Sequence, residues 1–242
     1  MRTPASVLAE IIRADSARPR VTFYEDTAGP TQGERIELSG KVLANWVSKA
    51  ANALQDEFDL GHGSVVQLSL PPHWRALYWA LAVWSLGATL DVAGSRPPDL
   101  LICDAPTAVT ATTGPATGDV VLVTLDALAR AHHGPVPTGA MDEARELATF
   151  GDRFVAMAEP APDDLALITG GAQIPYRNVV PQRDWPAGTR VNLAGDLTEV
   201  LQSTLAAWAV DGSVVLARSG LRAGEDPQPG RLTSERVTLD LS

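Results

Sequence analysis

The run LALITGGAQIPYRN, residues 165–178, holds residue types from which an anion cradle can be built. A short apolar stretch leads into Thr169, Gly170 and Gly171, and Pro175 follows. A strand that runs into a glycine-rich loop can turn several backbone N–H groups toward a phosphate. Thr169 is the only hydroxyl before the proline, and Arg177 is the nearest basic residue in sequence. Thr169, Gly170, Gly171 and Arg177 are therefore the candidate binding residues. The plainer reading of Thr-Gly-Gly is a tight turn after a strand, because a working cradle needs convergent N–H groups, hydroxyl donors and a counter-charge.

Other chemistry is thinly represented, and no residue is assigned a catalytic or metal-binding role. His132 and His133 read as a solvated loop pair, His62 lies in a Gly-His-Gly turn, and His73 opens a helix after two prolines; none has the spacing of zinc ligands. Asp163 and Asp164 read as turn caps rather than as an acid and a base. The single cysteine, Cys103, sits in the apolar run DLLICD and reads as a buried small residue. Of 19 basic residues only Lys41 and Lys49 are lysines, so any step needing an ammonium must use one of these two. There is no Gly-x-Ser-x-Gly elbow, no complete phosphate-loop signature and no Gly-x-Gly-x-x-Gly.

The elements that would position the loop alternate between strand and helix. Thr3-Pro4 starts a helix that Pro19 ends. RVTFYED and ERIELS read as a hairpin across the turn at Gly29–Gly33. Ser39 caps a long helix through Phe58, with Val42, Leu43, Trp46, Val47, Ala50 and Leu54 on one face. SVVQLSL is a buried strand stopped by Pro71-Pro72. In the next helix, HWRALYWALAVWSLG, Arg75 is the only formal charge; a helix apolar all round is packed all round. Trp74, Trp79 and Trp84 project in different directions from it, which suits a buried helix. Strands follow at ATLDV, DLLICD and DVVLVTL, then a loop at HHGPVPTGAMDE, a helix at DEARELATFGDRF and a linker at AEPAPDD. After the LALIT strand come a proline-broken polar stretch to Asp196, a helix LTEVLQSTLAAWAV, a strand GSVVLAR, a loop GEDPQPG and a last strand RVTLDL. The expected class is α/β, a layered α/β/α arrangement with a largely parallel sheet. The expected organisation is one α/β domain over residues 1–242, with an N-terminal lobe at 1–157 and an incomplete second lobe at 158–242.

In order, these features resemble the N-terminal domain of adenylate-forming enzymes, the superfamily of acyl-CoA synthetases and adenylation domains. IELSGKVLANWVSKAANAL is similar to the family's early helix. GHGSVVQLSLPPHWRALYWALAVWSLGA is similar to its strand–proline–helix unit ending in Gly-Ala, PDDLALI to the lead-in of its phosphate loop, and LAAWAVDGSVVLA to the helix and strand that follow. The small size and the ending RLTSERVTLDL resemble a short actinobacterial group of such homologues.

The resemblance also shows what is missing. The family's phosphate loop is longer, rich in Ser, Thr and Gly, and carries a lysine after its proline; here Tyr176 follows Pro175. Arg177 could supply charge, but a guanidinium does not replace an ammonium. The family's ribose-binding acid, its Mg²⁺-holding Thr-Glu pair and its lid with a catalytic lysine would all lie beyond residue 242. A helix usual between two early strands is missing from GATLDVAGSRPPDLLICD.

The resemblance therefore implies a shortened, degenerate homologue acting as a binding or protein-interaction module. Two alternatives stand beside it, half of a split acyl-adenylating enzyme completed by another chain and a binder of small acyl or nucleotide ligands. No cofactor is expected, residual ATP or AMP binding included. The expected partner is another protein or a second copy of the chain. The net charge of −10 argues against nucleic acid and anionic membrane surfaces. With neither a signal peptide nor a stretch long enough to span a bilayer, a cytoplasmic location is expected.

Overall fold

The structure, a computed structural model, describes residues 1–105, 119–219 and 230–242. The chain forms two compact units, one of Met1, Asn45–Leu70 and Tyr78–Val179, the other of Arg2–Ala44, Pro71–Leu77 and Val180–Ser242. Each is built on a mixed, mostly parallel sheet, with helices on both sides of the sheets.

The first unit carries a seven-stranded sheet of order β7-β6-β5-β3-β4-β8-β9. Its strands are β3 Val65–Ser69, β4 Thr89–Asp91, β5 Leu100–Cys103, β6 Asp119–Leu122, β7 Met141–Asp142, β8 Leu165–Ile168 and β9 Gln173–Pro175. All neighbours are parallel except β8 and β9. The central strands are buried on both faces, which is why they read as continuous apolar runs. Between β4 and β5 the chain returns through residues 92–99 with no helix, as the sequence suggests. The strands are so short that these eight residues cover the return.

The second unit carries a five-stranded sheet of order β12-β10-β11-β1-β2. Here β1 Pro19–Glu25 and β2 Arg35–Ser39 form the expected antiparallel hairpin, while β10 Arg190–Leu193, β11 Ser213–Arg218 and β12 Leu239–Leu241 run parallel to β1. Helix α1, Pro4–Asp15, begins with a reciprocal capping box between Thr3 and Ser6. It packs on α5, Leu197–Ala209, which Asp196 caps. Arg20 is fully buried at the start of β1 and donates to the carbonyls of Ile11, Asp211 and Gly212. One guanidinium thus ties together a helix end, a strand and a turn.

Helix α2, Gly40–Asn52, begins after Ser39, whose hydroxyl accepts the Val42 N–H. It widens into a π-helical turn over Ala53–Glu57. Val42 is 41% exposed, so the buried stripe is Leu43, Val47, Ala50, Ala51 and Leu54. Helix α3, Trp74–Ser85, is buried at every position up to Trp84, Arg75 included, as its uniformly apolar sequence requires.

Four expectations change. Helix α4 is only Glu143–Glu146 plus a 3₁₀ turn at Leu147–Thr149, and 151–154 is irregular, because Gly151 and the lack of an apolar stripe give a longer helix nothing to bury. The loop at 132–143 contains the two-residue edge strand β7. The polar stretch before Asp196 contains β9 and β10. The last expected strand, RVTLDL, pairs only over Leu239–Leu241, and the short helix α6, Arg231–Ser234, precedes it. Most of GEDPQPG, residues 224–229, lies outside the described residues.

Candidate functional site

Ala166, Leu167 and Ile168 are buried where β8 lies between β4 and β9. The chain then reverses through Thr169–Ala172 into β9, an edge strand that tolerates Pro175 because an edge position leaves one backbone side unpaired. The turn is closed by its own atoms. The Thr169 N–H donates to the Ala172 carbonyl at 2.9 Å. The Thr169 hydroxyl accepts the N–H groups of Ala172 at 3.0 Å and Gly171 at 3.3 Å. Two donors that a cradle would turn toward a ligand are thus satisfied by the threonine. Gly170 and Gly171 are exposed, lie outside the left-handed region, and have nothing within 4 Å of where a Cβ would sit.

The structure brings Thr169, Gly170 and Gly171 together and pairs Arg177 elsewhere. The Arg177 guanidinium forms an ion pair with Asp163 in the lead-in to β8. The Arg177 backbone N–H donates to the Pro162 carbonyl at 3.0 Å. Tyr176 is fully buried, and its hydroxyl donates to the Ala88 carbonyl at 2.7 Å. Burial pushes this phenol far above its ordinary range. The position where the resemblance implies a lysine therefore holds a core anchor, and an aromatic residue after the proline was the signal for it.

Asp164 caps the lead-in as expected, accepting the Ala161 N–H at 2.6 Å. It also pairs with His62 at 2.7 Å. The His62 hydrogen bond, with help from the Ala161 N–H, holds the Asp164 carboxyl below the usual carboxylate range. Lys49 donates to the carbonyls of Ala148 at 2.8 Å and Phe150 at 2.5 Å, a structural use. Cys103 is fully buried, and burial pushes its thiol up to about 11. Among the described residues no group of three or more His, Cys, Asp or Glu side chains could hold a metal ion. Nor is any helix among them long and apolar enough to cross a membrane.

The second unit holds a denser polar cluster that sequence reasoning missed. Arg231 makes a two-pronged pair with Asp26 at 2.7 and 2.8 Å, with both side chains buried. Its guanidinium lies 4.0 Å from the centre of the Tyr24 ring. Tyr24, Arg35 and Arg190 converge on Glu235, and Arg218 pairs with Glu25 at 2.7 Å. Burial raises the Glu235 carboxyl, but the hydrogen bonds from Tyr24, Arg190 and Arg35 outweigh it and hold the group below its ordinary value. These contacts fasten residues 230–242 to the hairpin of β1 and β2 and to β10.

This architecture is that of the N-terminal domains of acyl-CoA synthetases and adenylation enzymes. An acyl-CoA synthetase of Brucella canis superposes with a TM-score of 0.70 at 16% identity, over 92% of this chain and 44% of that one. The N-terminal domain of FACL13 from Mycobacterium tuberculosis gives 0.72 at 14% identity, over 99% and 62%. The Klebsiella oxytoca NpsA N-terminal subdomain gives 0.68 at 18%, over 99% and 59%. The chain thus spans about half the length of the solved proteins it resembles. A TIGR03089 family protein of Mycobacterium tuberculosis (strain ATCC 25618 / H37Rv) is 31% identical over 257 aligned positions, covering 98% of this chain and 99% of its own. The chain belongs to the TIGR03089 family. No protein-family profile matches it.

Proposed function

We propose that this chain keeps the adenylate-forming N-terminal fold without the adenylating chemistry and serves as a binding or protein-interaction module. One observation carries the reading: the Thr169 hydroxyl accepts the Gly171 and Ala172 N–H groups, so these donors are spent inside the turn. Adenylation must hold three phosphates and neutralise charge as pyrophosphate leaves. A turn with no donor aimed outward by its hydroxyl, its nearest arginine paired to Asp163 and a net charge of −10 around it is poorly suited to that task. A cytoplasmic location and a protein partner or homodimer belong to the same proposal. Purified protein incubated with MgATP and a panel of carboxylic acids should show no acid-dependent pyrophosphate release; robust turnover with any acid would overturn the reading.

A second reading is favoured by length. The chain spans 44% of the Brucella acyl-CoA synthetase, as half of a split enzyme would. Pull-down from native lysate would then recover a chain carrying the lid motifs, and adding that chain would restore pyrophosphate release. A third reading draws on the Klebsiella subdomain, which was solved in complex with 3-hydroxybenzoyl-AMSN. Small-molecule binding without turnover would appear as a thermal shift with free acids, CoA or nucleotides, since ligand at a hundred times Kd adds about 2.7 kcal/mol.

A further inference from the structure

Beside the Thr169 turn lies a second strand end whose backbone donors converge on one point. Strand β4 is parallel to β8, with Asp91 in register with Ile168, and the Val92 N–H donates to the Ile168 carbonyl at 3.0 Å. The residues that follow, Ala93, Gly94 and Ser95, are exposed, yet their three N–H groups turn inward. Ala93 and Gly94 donate to one oxygen of the Asp91 carboxylate at 2.8 and 2.9 Å. Ser95 donates to the other from its N–H at 3.0 Å and its hydroxyl at 3.3 Å. Gly94 makes this concavity: its φ of +62° lies in the left-handed region, and a Cβ there would sit 2.7 Å from the Gln67 amide nitrogen. Successive N–H groups arranged around a left-handed residue form a nest that binds anions. This nest holds a carboxylate from the same chain, itself fully buried.

We infer that Asp91 is the resident anion of this nest and that it shuts the β4 strand end to phosphate and sulfate. The chain closes both neighbouring strand ends with its own oxygen atoms, Thr169 at β8 and Asp91 at β4. Removing the Asp91 carboxylate leaves three inward-turned N–H donors and a serine hydroxyl facing one position, which an inorganic oxyanion can fill. The significance of the closure rests on the reading above, but its test does not.

The test compares wild type with Asp91→Ala. Each ¹⁵N-labelled protein is titrated with sodium phosphate at constant ionic strength, with sodium chloride as control. In Asp91→Ala the Ala93, Gly94 and Ser95 amides shift saturably in the millimolar range, and phosphate raises the melting temperature above the chloride control. In wild type neither change occurs. A folded Asp91→Ala whose three amides ignore phosphate overturns the inference, as does a wild type that responds like the variant. If Asp91→Ala folds only in phosphate, that rescue supports it. If it folds in neither salt, Asp91→Ser is titrated instead, and the same three amides decide. A parallel MgATP titration reports separately on the Thr169–Ala172 amides; saturation there would sink the proposed function and leave the Asp91 result standing.

Discussion

Two polar regions of this molecule are built on opposite principles. At the Thr169 turn every contact is short-range and exposed, and both glycines sit where alanine would fit. At the docked C-terminal segment the partners are far apart in sequence and buried or partly buried: Asp26 and Arg231 are separated by 205 residues and Tyr24 and Glu235 by 211. A buried charge without its partner is costly, whereas an exposed one is hydrated by water. The comparison teaches where polar residues hold this fold together. They do so in the clasp over residues 230–242, and the loop position that resembles a nucleotide site is energetically slight.

The comparison is broken most directly at Asp26. Asp26→Ala removes the buried carboxylate that holds Arg231 with two hydrogen bonds and is expected to cost about 3–5 kcal/mol in urea unfolding. A loss near that of an ordinary surface substitution would show that the clasp is ornamental.

Acid should unpick the same unit in two stages. His73 is buried beside Arg75 and Arg218; burial first, then those two charges, hold its imidazole well below the ordinary 6.5. The unfolded chain therefore takes up this proton before the folded one, so stability present above pH 6.5 is lost as pH falls below it. His73→Gln should flatten that slope between neutral pH and the carboxylate range. Glu235 is likewise depressed from 4.5, so its contribution, complete above that value, is lost as pH falls further, and Glu235→Gln should lose less stability across that lower window. Stability measured against pH for wild type and both variants checks the signs.

The turn should give small numbers. Thr169→Ala removes the hydroxyl that accepts two N–H groups and should cost about 0.5–1.5 kcal/mol, at the low end because water replaces it. Gly170→Ala should have the opposite sign, a gain of up to about 0.4–1 kcal/mol, because the backbone there is compatible with alanine and the unfolded chain loses freedom. Arg177→Ala should be indistinguishable from wild type in thermal unfolding, since its pair with Asp163 is exposed. A large loss at any of these three would mean that the turn is held by more than its local bonds.

What was legible in the sequence follows the same division. Local signals carried through: the Thr3-Pro4 start, the β1–β2 hairpin, the wholly apolar α3 and the helixless return from β4 to β5. Strand β10 was hidden because Arg190 and Asn192 flank Val191 in a four-residue run, and its place in the sheet comes from pairing with β11 and β12. The clasp was illegible for the reason that makes it strong, since nothing near Asp26 in sequence points to Arg231. Tyr176 was visible as a departure from lysine, but its burial against Ala88 was not. The Asp91 nest had a local signature, an aspartate three residues before a glycine in a loop, which is how a side chain caps its own turn.

The central claim is that the loop resembling a phosphate cradle is closed on itself. Calorimetric titration of the wild-type chain with MgATP tests it most directly. The account predicts no micromolar binding and no difference between wild type and Thr169→Ala. Micromolar binding that disappears in Thr169→Ala would contradict it, because the same hydroxyl and N–H groups would then be holding the nucleotide rather than one another.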